Sequence, residues 1–252
     1  MHEEVMSLPQ LVLIPGLACD AQMWRAPLDV LPVALRPMVS DVHTRLPTIE
    51  TMAQALLDEH PGELLLCGAS MGGMIAMQAA HLGGARVRGL VLIGTSARPE
   101  TAAMRQLREG VLNLFAQGRA AEVLRANIPL ALAPRHAADP VLAQAYLSMM
   151  LRAGDDQLTR QNRAVMARPD LRPHLPALRC ATLVLCGDMD RLAPPEHSRE
   201  IAGLVPGAEL RMLAGCGHMP TMEAPEPVNR EMLAWLRSAF AIGAPHPPQP
   251  AA

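Results

Sequence analysis

Residues 64–80, LLLCGASMGGMIAMQAA, form an apolar run that breaks into small residues and then resumes. With Glu63 in front, the first half reads as a buried strand over 63–70. The second half reads as a helix stopped by Gly83 and Gly84. The joint between them is tight. Gly68 and Gly72 remove the Cβ atoms that would collide around a sharp strand-to-helix turn, and Ser70 is left raised above the sheet edge. An ordinary turn with an idle serine is one competing reading. A glycine-rich phosphate cradle is another, but it needs a Lys-Ser/Thr pair that does not follow here.

The same alternation extends in both directions. Upstream, QLVLIPG (10–16) and RPMVSDV (36–42) read as strands, with DAQMWRAPLDVLP between them as a short helix broken at its prolines. TIETMAQALLDEH (48–60) reads as a helix with Thr48 at its N-cap, or alternatively Thr51. VRGLVLIGTS (87–96) is a fourth strand. From 98 to 178 the pattern is helical, with segments at 104–115, 120–128, 139–152 and 156–166. Strands return with ATLVLCGD (181–188) and AELRMLAG (208–215), each followed by a helix, EHSREIAGLV and PEPVNREMLAWLRSAF. The expected fold class is α/β: a mostly parallel sheet with helices on both faces, its core segments 1–97 and 179–241 flanking a helical insertion at 98–178. The Pro-rich end, 242–252, is expected to trail without regular structure.

A chain of 252 residues, half of them apolar and 18% charged, suits one large globular domain. Its net charge of −2 gives no reason to expect nucleic acid or an anionic membrane as a partner. All 22 basic residues are arginine and they are spread along the chain. The five cysteines include no C-x-x-C pair, and three sit in apolar runs, the pattern of free thiols in a reducing compartment. The N-terminus MHEEVMSLPQ has acids where a secretory signal needs a basic region, and no apolar run reaches membrane-spanning length. A cytoplasmic location without a membrane span is expected, with the oligomeric state open.

A serine hydroxyl is a weak nucleophile near neutral pH and needs a base. LAGCGHMPTMEAPE places His218 in a small-residue loop after a strand, which suits a side chain pointing into a cleft. The other histidines read as surface or loop residues; His60 and His81 sit near helix C-termini, where a cation is mildly favoured. A supporting carboxylate should follow the strand ATLVLCG, and GDMDRLAPP offers both Asp188 and Asp190. Asp188 has the alternative of bonding the turn's own backbone.

The order serine, acid, histidine is the one α/β-hydrolases use. The chain resembles that superfamily over about residues 9–240, through IPGLACDAQMW, GASMGG, GDMDRLAP and GCGHMPTMEAPEPV, in family order and at family separations. The resemblance implies an α/β-hydrolase fold with 98–178 as a helical cap over the active site. In the family pattern G-x-x-D-x-x-x-P, matched from Gly187, the acid is Asp190 and Pro194 is in register. Ser70, Asp190 and His218 are then the implied catalytic residues, with the backbone N–H groups of Leu17 and Met71 as the oxyanion hole. No metal or organic cofactor is implied. The chain departs from the family in having Pro15-Gly16 where His-Gly is usual. Residues 1–8 also leave little room for the family's first two strands.

GLACDAQMW is most similar to the enol-lactonase, esterase and C–C hydrolase branches, and it also resembles small-molecule receptors built on this fold. The expected function is hydrolysis of a small apolar carboxylic ester, lactone or thioester through an acyl-serine. A C–C hydrolase of a dioxo acid and a slow-turnover sensor are the alternatives. Trp24, Met74, Met104, Met150, Leu192 and Met219 are candidate substrate contacts, because methionines suit a permissive apolar pocket. The plainer reading of each methionine is core packing. With only two Phe and one Tyr, an aromatic-lined pocket is not expected. Arg98, Arg105, Arg108, Arg152, Arg160 and Arg163 either hold a substrate carboxylate or cover solvated helix faces.

Overall fold

A computed structural model describes residues 8–242. The chain runs β1 (Gln10–Ile14), a 3₁₀ turn (Ala21–Trp24), α1 (Arg25–Leu28), β2 (Met38–Val39), α2 (Val42–Arg45), α3 (Ile49–Glu59), β3 (Leu64–Ala69), α4 (Met71–Gly83) and β4 (Val87–Ile93). Then come the inserted helices α5 (Ala102–Ala116), α6 (Ala120–Ala131), α7 (Pro134–Ala137), α8 (Pro140–Arg152) and α9 (Gly154–Met166). The core resumes with β5 (Ala181–Gly187), α10 (Pro195–Leu204), β6 (Glu209–Leu213), α11 (Pro220–Glu223) and α12 (Pro225–Phe240).

The six strands lie in the order β2-β1-β3-β4-β5-β6, and every neighbouring pair is parallel. Parallel strands covered on both faces need apolar residues at every position, which is why β3 is LLLCGA and buried throughout. Alternate residues feed two separate cores. Leu11, Leu13, Leu65, Cys67, Val91 and Leu183 pack with α12 and the insertion, whereas Val12, Ile14, Leu64, Leu66, Leu92 and Val184 pack with α3, α4 and α10. The sheet begins at Gln10, so the described residues contain no strand ahead of it. Strand order reverses between β1 and β3, and a crevice opens at their carboxyl ends, where ligands bind in such sheets. The joints at Pro15-Gly16 and Ser70 both fall there.

Three details differ from the sequence expectations. β2 shrinks to two residues. Helix α6 continues to Ala131 with Pro129 inside it, where a stop after Ile128 was expected; only the last turn has to do without the proline's N–H. Ile242 is buried against the core next to α12 and is not part of a trailing tail; residues 243–252 lie outside the described residues. Thr48 caps α3, and Thr51 completes a capping box with it. Several insertion arginines pin the helices to the core: Arg152 to Asp20 at 2.7 Å, Arg98 to Glu200 at 2.8 Å, and Arg160 to the Thr44 carbonyl. Arg105 and Arg163 are exposed. Among the described residues no helix is long and apolar enough to cross a membrane, and all five cysteines are free.

Candidate active site

Ser70 joins β3 to α4 with φ 53° and ψ −117°, backbone that a residue with a Cβ rarely adopts and that costs about 1–3 kcal/mol. The surroundings hold it there. The Ser70 N–H donates to the Ile93 carbonyl at 2.9 Å, and the Thr95 hydroxyl donates to the Ser70 carbonyl at 2.6 Å. A Cβ on Gly68 would overlap the Gly72 carbonyl, and one on Gly72 would overlap the Ile14 carbonyl, so the turn closes only with glycine at both positions.

His218 reaches this serine from the loop between β6 and α11. Its Nε2 lies 3.0 Å from Ser70 Oγ, and its Nδ1 lies 2.8 Å from Asp190 Oδ2. Asp190 is buried, so its charge needs donors. Its other oxygen, Oδ1, accepts from the N–H groups of Leu192 and Ala193, each at 2.9 Å, and lies 3.0 Å from His218 Nδ1. A carboxylate can only accept, so Nδ1 carries the proton and Nε2 faces the hydroxyl as a base. Burial opposes charge on His218, but the Asp190 charge, its hydrogen bond and the Glu223 charge outweigh it and hold the imidazole above the usual histidine range. Asp188 is exposed, and its Oδ1 accepts from the Cys216 N–H at 3.3 Å, a bond to the histidine loop and not to its own turn.

Glu223 carries no role in the sequence reading, yet it organises this loop. Its buried carboxylate accepts from the N–H groups of Gly217 at 3.0 Å, Met219 at 2.9 Å and Ala133 at 2.8 Å, and lies 2.8 Å from His136 Nδ1. The His218 N–H donates to the Ala131 carbonyl at 2.8 Å. The histidine loop is thus clamped to the end of α6 and to α7 in the insertion.

The carboxyl end of β1 supplies the opposite wall. Gly16 packs against Ser70: a Cβ placed on it would meet Ser70 Cβ at 3.3 Å. The N–H groups of Leu17 and Met71 make no hydrogen bond among the described residues, and both residues line a cavity of about 500 Å³ that also touches Ser70 and His218. Met74, Met104, Met150, Leu192 and Met219 line it as well. Met150 and Met219 are buried, whereas Met104 and Leu192 are 39% and 40% exposed. Trp24 is not on the wall. It is fully buried and packed in the core, and its neighbour Met23 lines the cavity instead, because successive residues of a 3₁₀ turn point about 120° apart. Phe115 and Tyr146 also line it, a larger aromatic share than composition suggests. Of the arginines, Arg98, Arg108, Arg168 and Arg191 reach the wall: Arg98 is paired with Glu200 and Arg108 and Arg168 with Glu100, whereas Arg191 has no carboxylate partner among the described residues. No cluster of three His, Cys, Asp or Glu side chains suited to a metal occurs among the described residues.

Ser70, His218 and Asp190 thus form one hydrogen-bonded chain at the switch-point crevice. Residues 11–231 match the model of the alpha/beta hydrolase family. The chain belongs to that family. Among its relatives is a pimeloyl-[acyl-carrier protein] methyl ester esterase of Aromatoleum aromaticum, 31% identical over 88% of this chain and 95% of that protein. A thermophilic esterase from Thermogutta terrifontis superposes with TM-score 0.82 at 29% identity, covering 92% of this chain and 90% of the other. The enol-lactonase from Burkholderia xenovorans LB400 shares the fold, with TM-score 0.82 at 22% identity over 93% of each chain. This hydrolase therefore has esterases among its relatives by sequence and by structure.

Proposed function

We propose that this hydrolase cleaves a carboxylic ester of a small apolar substrate, lactones and thioesters included, through an acyl-serine intermediate. The hydrogen-bonded chain from Asp190 through His218 to Ser70 Oγ, on the floor of an apolar cavity, carries the reading. His218 Nε2 takes the Ser70 proton as Oγ attacks the acyl carbon. Asp190 keeps the proton on Nδ1 and stabilises the imidazolium. The oxyanion lies between the N–H groups of Leu17 and Met71, each such donor supplying about 3–4 kcal/mol. His218 then returns the proton to the leaving alcohol, and water attacks the acyl-serine by the same relay. Free, mostly buried thiols suit a reducing compartment, and we place the enzyme in the cytoplasm.

A panel of p-nitrophenyl esters of graded acyl length, with a lactone, a dioxo acid and the methyl ester of a long dicarboxylic acyl group, tests the reading. Sustained release from the esters is expected. A single stoichiometric burst would indicate a sensor, and turnover of the dioxo acid alone would indicate C–C cleavage. The general base must be neutral, and its folded pKa is raised, so the rate is expected to climb with pH with its midpoint above the ordinary histidine value of about 6.5. A kcat/KM titration checks this, and a midpoint below that value would contradict it.

Helices α5, α6, α8 and α9 contribute much of the cavity wall, and we propose that they set acyl preference while the sheet supplies the chemistry. Met150→Ala is expected to shift the best substrate to a longer acyl chain. Each methylene that finds room contributes about 0.8 kcal/mol, roughly fourfold in kcat/KM. Met104→Ala, at the more open edge, is expected to act in the same direction by less. Unchanged length profiles in both would make the insertion mere scaffold.

A further inference from the structure

Two residues beyond the end of β1, the Gly16–Cys19 turn is held in a conformation its own sequence does not favour. The Cys19 N–H donates to the Gly16 carbonyl at 3.1 Å, which closes the turn, and Ala18 has φ 58°. That third turn position ordinarily takes glycine or asparagine; rotating the Leu17–Ala18 peptide would return Ala18 to a negative φ. The opposing force comes from the insertion. The Ala18 N–H donates to Gln161 Oε1 on α9 at 2.7 Å, and Gln161 Nε2 donates to the His43 carbonyl at 2.9 Å. His43 Nε2 in turn donates to the Cys19 carbonyl at 2.9 Å. Gln161 is completely buried and lies between Leu158 and Val165, both in the cores, where an apolar side chain would pack equally well. A buried amide with both ends bonded to distant backbone specifies geometry more than it adds stability. Of the N–H groups of Leu17, Ala18 and Cys19, those of Ala18 and Cys19 are engaged, and the Leu17 N–H makes no bond among the described residues.

We infer that Gln161 is a positioning residue for the reaction: by bonding Ala18 and His43 it fixes the conformation of the whole Gly16–Cys19 turn, and with it the place of the Leu17 N–H beside the oxygen of the reacting carbonyl. The inference rests on the serine-hydrolase reading above. It makes the inserted helices part of oxyanion stabilisation as well as of substrate selection. Gln161→Met keeps the volume and removes both hydrogen bonds. Its kcat is expected to fall about 10–100-fold, short of the 10²–10³ lost when a donor is deleted outright. KM and the pH midpoint should stay near wild type, since the Ser70–His218–Asp190 chain is untouched. Affinity for a trifluoromethyl ketone, whose hemiketal oxygen occupies the same position, should fall by a similar factor. Adding Ala18→Gly should restore most of the loss, because glycine takes a positive φ without help. Gln161→Asn, one methylene short of Ala18, is the variant to read if Gln161→Met does not fold, and it should show the same kcat loss. Wild-type kcat and ketone affinity in either folded variant, or a loss that Ala18→Gly leaves unrepaired, would overturn the inference. Wild-type protein assayed in parallel separates the two levels: no ester turnover there would sink the hydrolase reading itself and this inference with it.

Discussion

Replacing Ser70 with alanine is expected to lower ester turnover by about 10⁶-fold, the scale found when the nucleophile of a serine hydrolase is deleted. The hydroxyl is the atom that His218 Nε2 addresses at 3.0 Å, and no second hydroxyl shares that bond. What remains should be slow, about 10³–10⁴ above water, from amides and binding alone. The fold should survive, because alanine keeps the Cβ and the backbone bonds to Ile93 and Thr95 stay in place. Initial-rate assays beside thermal unfolding check this. A rate within tenfold of wild type would remove Ser70 from the chemistry.

Asp190→Asn is expected to cost about 10⁴-fold in kcat. The carboxylate accepts from His218 Nδ1, which leaves Nε2 free to take a proton. An asparagine amide can instead donate to Nδ1, moving the ring proton to Nε2, where it blocks the transfer. The asparagine oxygen can still accept from Leu192 and Ala193, so the loop should keep its shape. Asp188→Asn is the control: that carboxylate is exposed and bonds only the Cys216 N–H, so a change within about threefold is expected, as for most surface substitutions. A reversed pair of results would move the acid by two residues.

Strands were legible in the sequence because parallel strands buried on both faces leave uninterrupted apolar runs, as in β3 and β5. The Ser70 joint was legible because glycines on both sides of a serine, common enough alone, are rare between a buried strand and the start of a helix. What stayed hidden depends on contacts across long separations. Gln161 meets Ala18 from 143 residues away, and Glu223 meets Ala133 from 90. In one dimension each looks like a solvent-facing residue of a helix. One cue existed for Gln161, since it falls in the same helical stripe as Leu158 and Val165 and so breaks an apolar face. Trp24 illustrates the opposite error. Flanking a functional turn does not fix which way a side chain points, and the 3₁₀ turn buries Trp24 and turns Met23 toward the cavity. The insertion arginines read as ligands or, more plainly, as solvated surface, and partners such as Glu200 and Asp20 are visible only in three dimensions.

The most direct test is peptide-mapped mass spectrometry of the protein after reaction with a fluorophosphonate. A single adduct on the peptide carrying Ser70, absent from Ser70→Ala and matched by complete loss of ester turnover, is the expected result. An adduct on another serine, or full activity in protein whose Ser70 is blocked, would contradict an acyl-serine mechanism at this site.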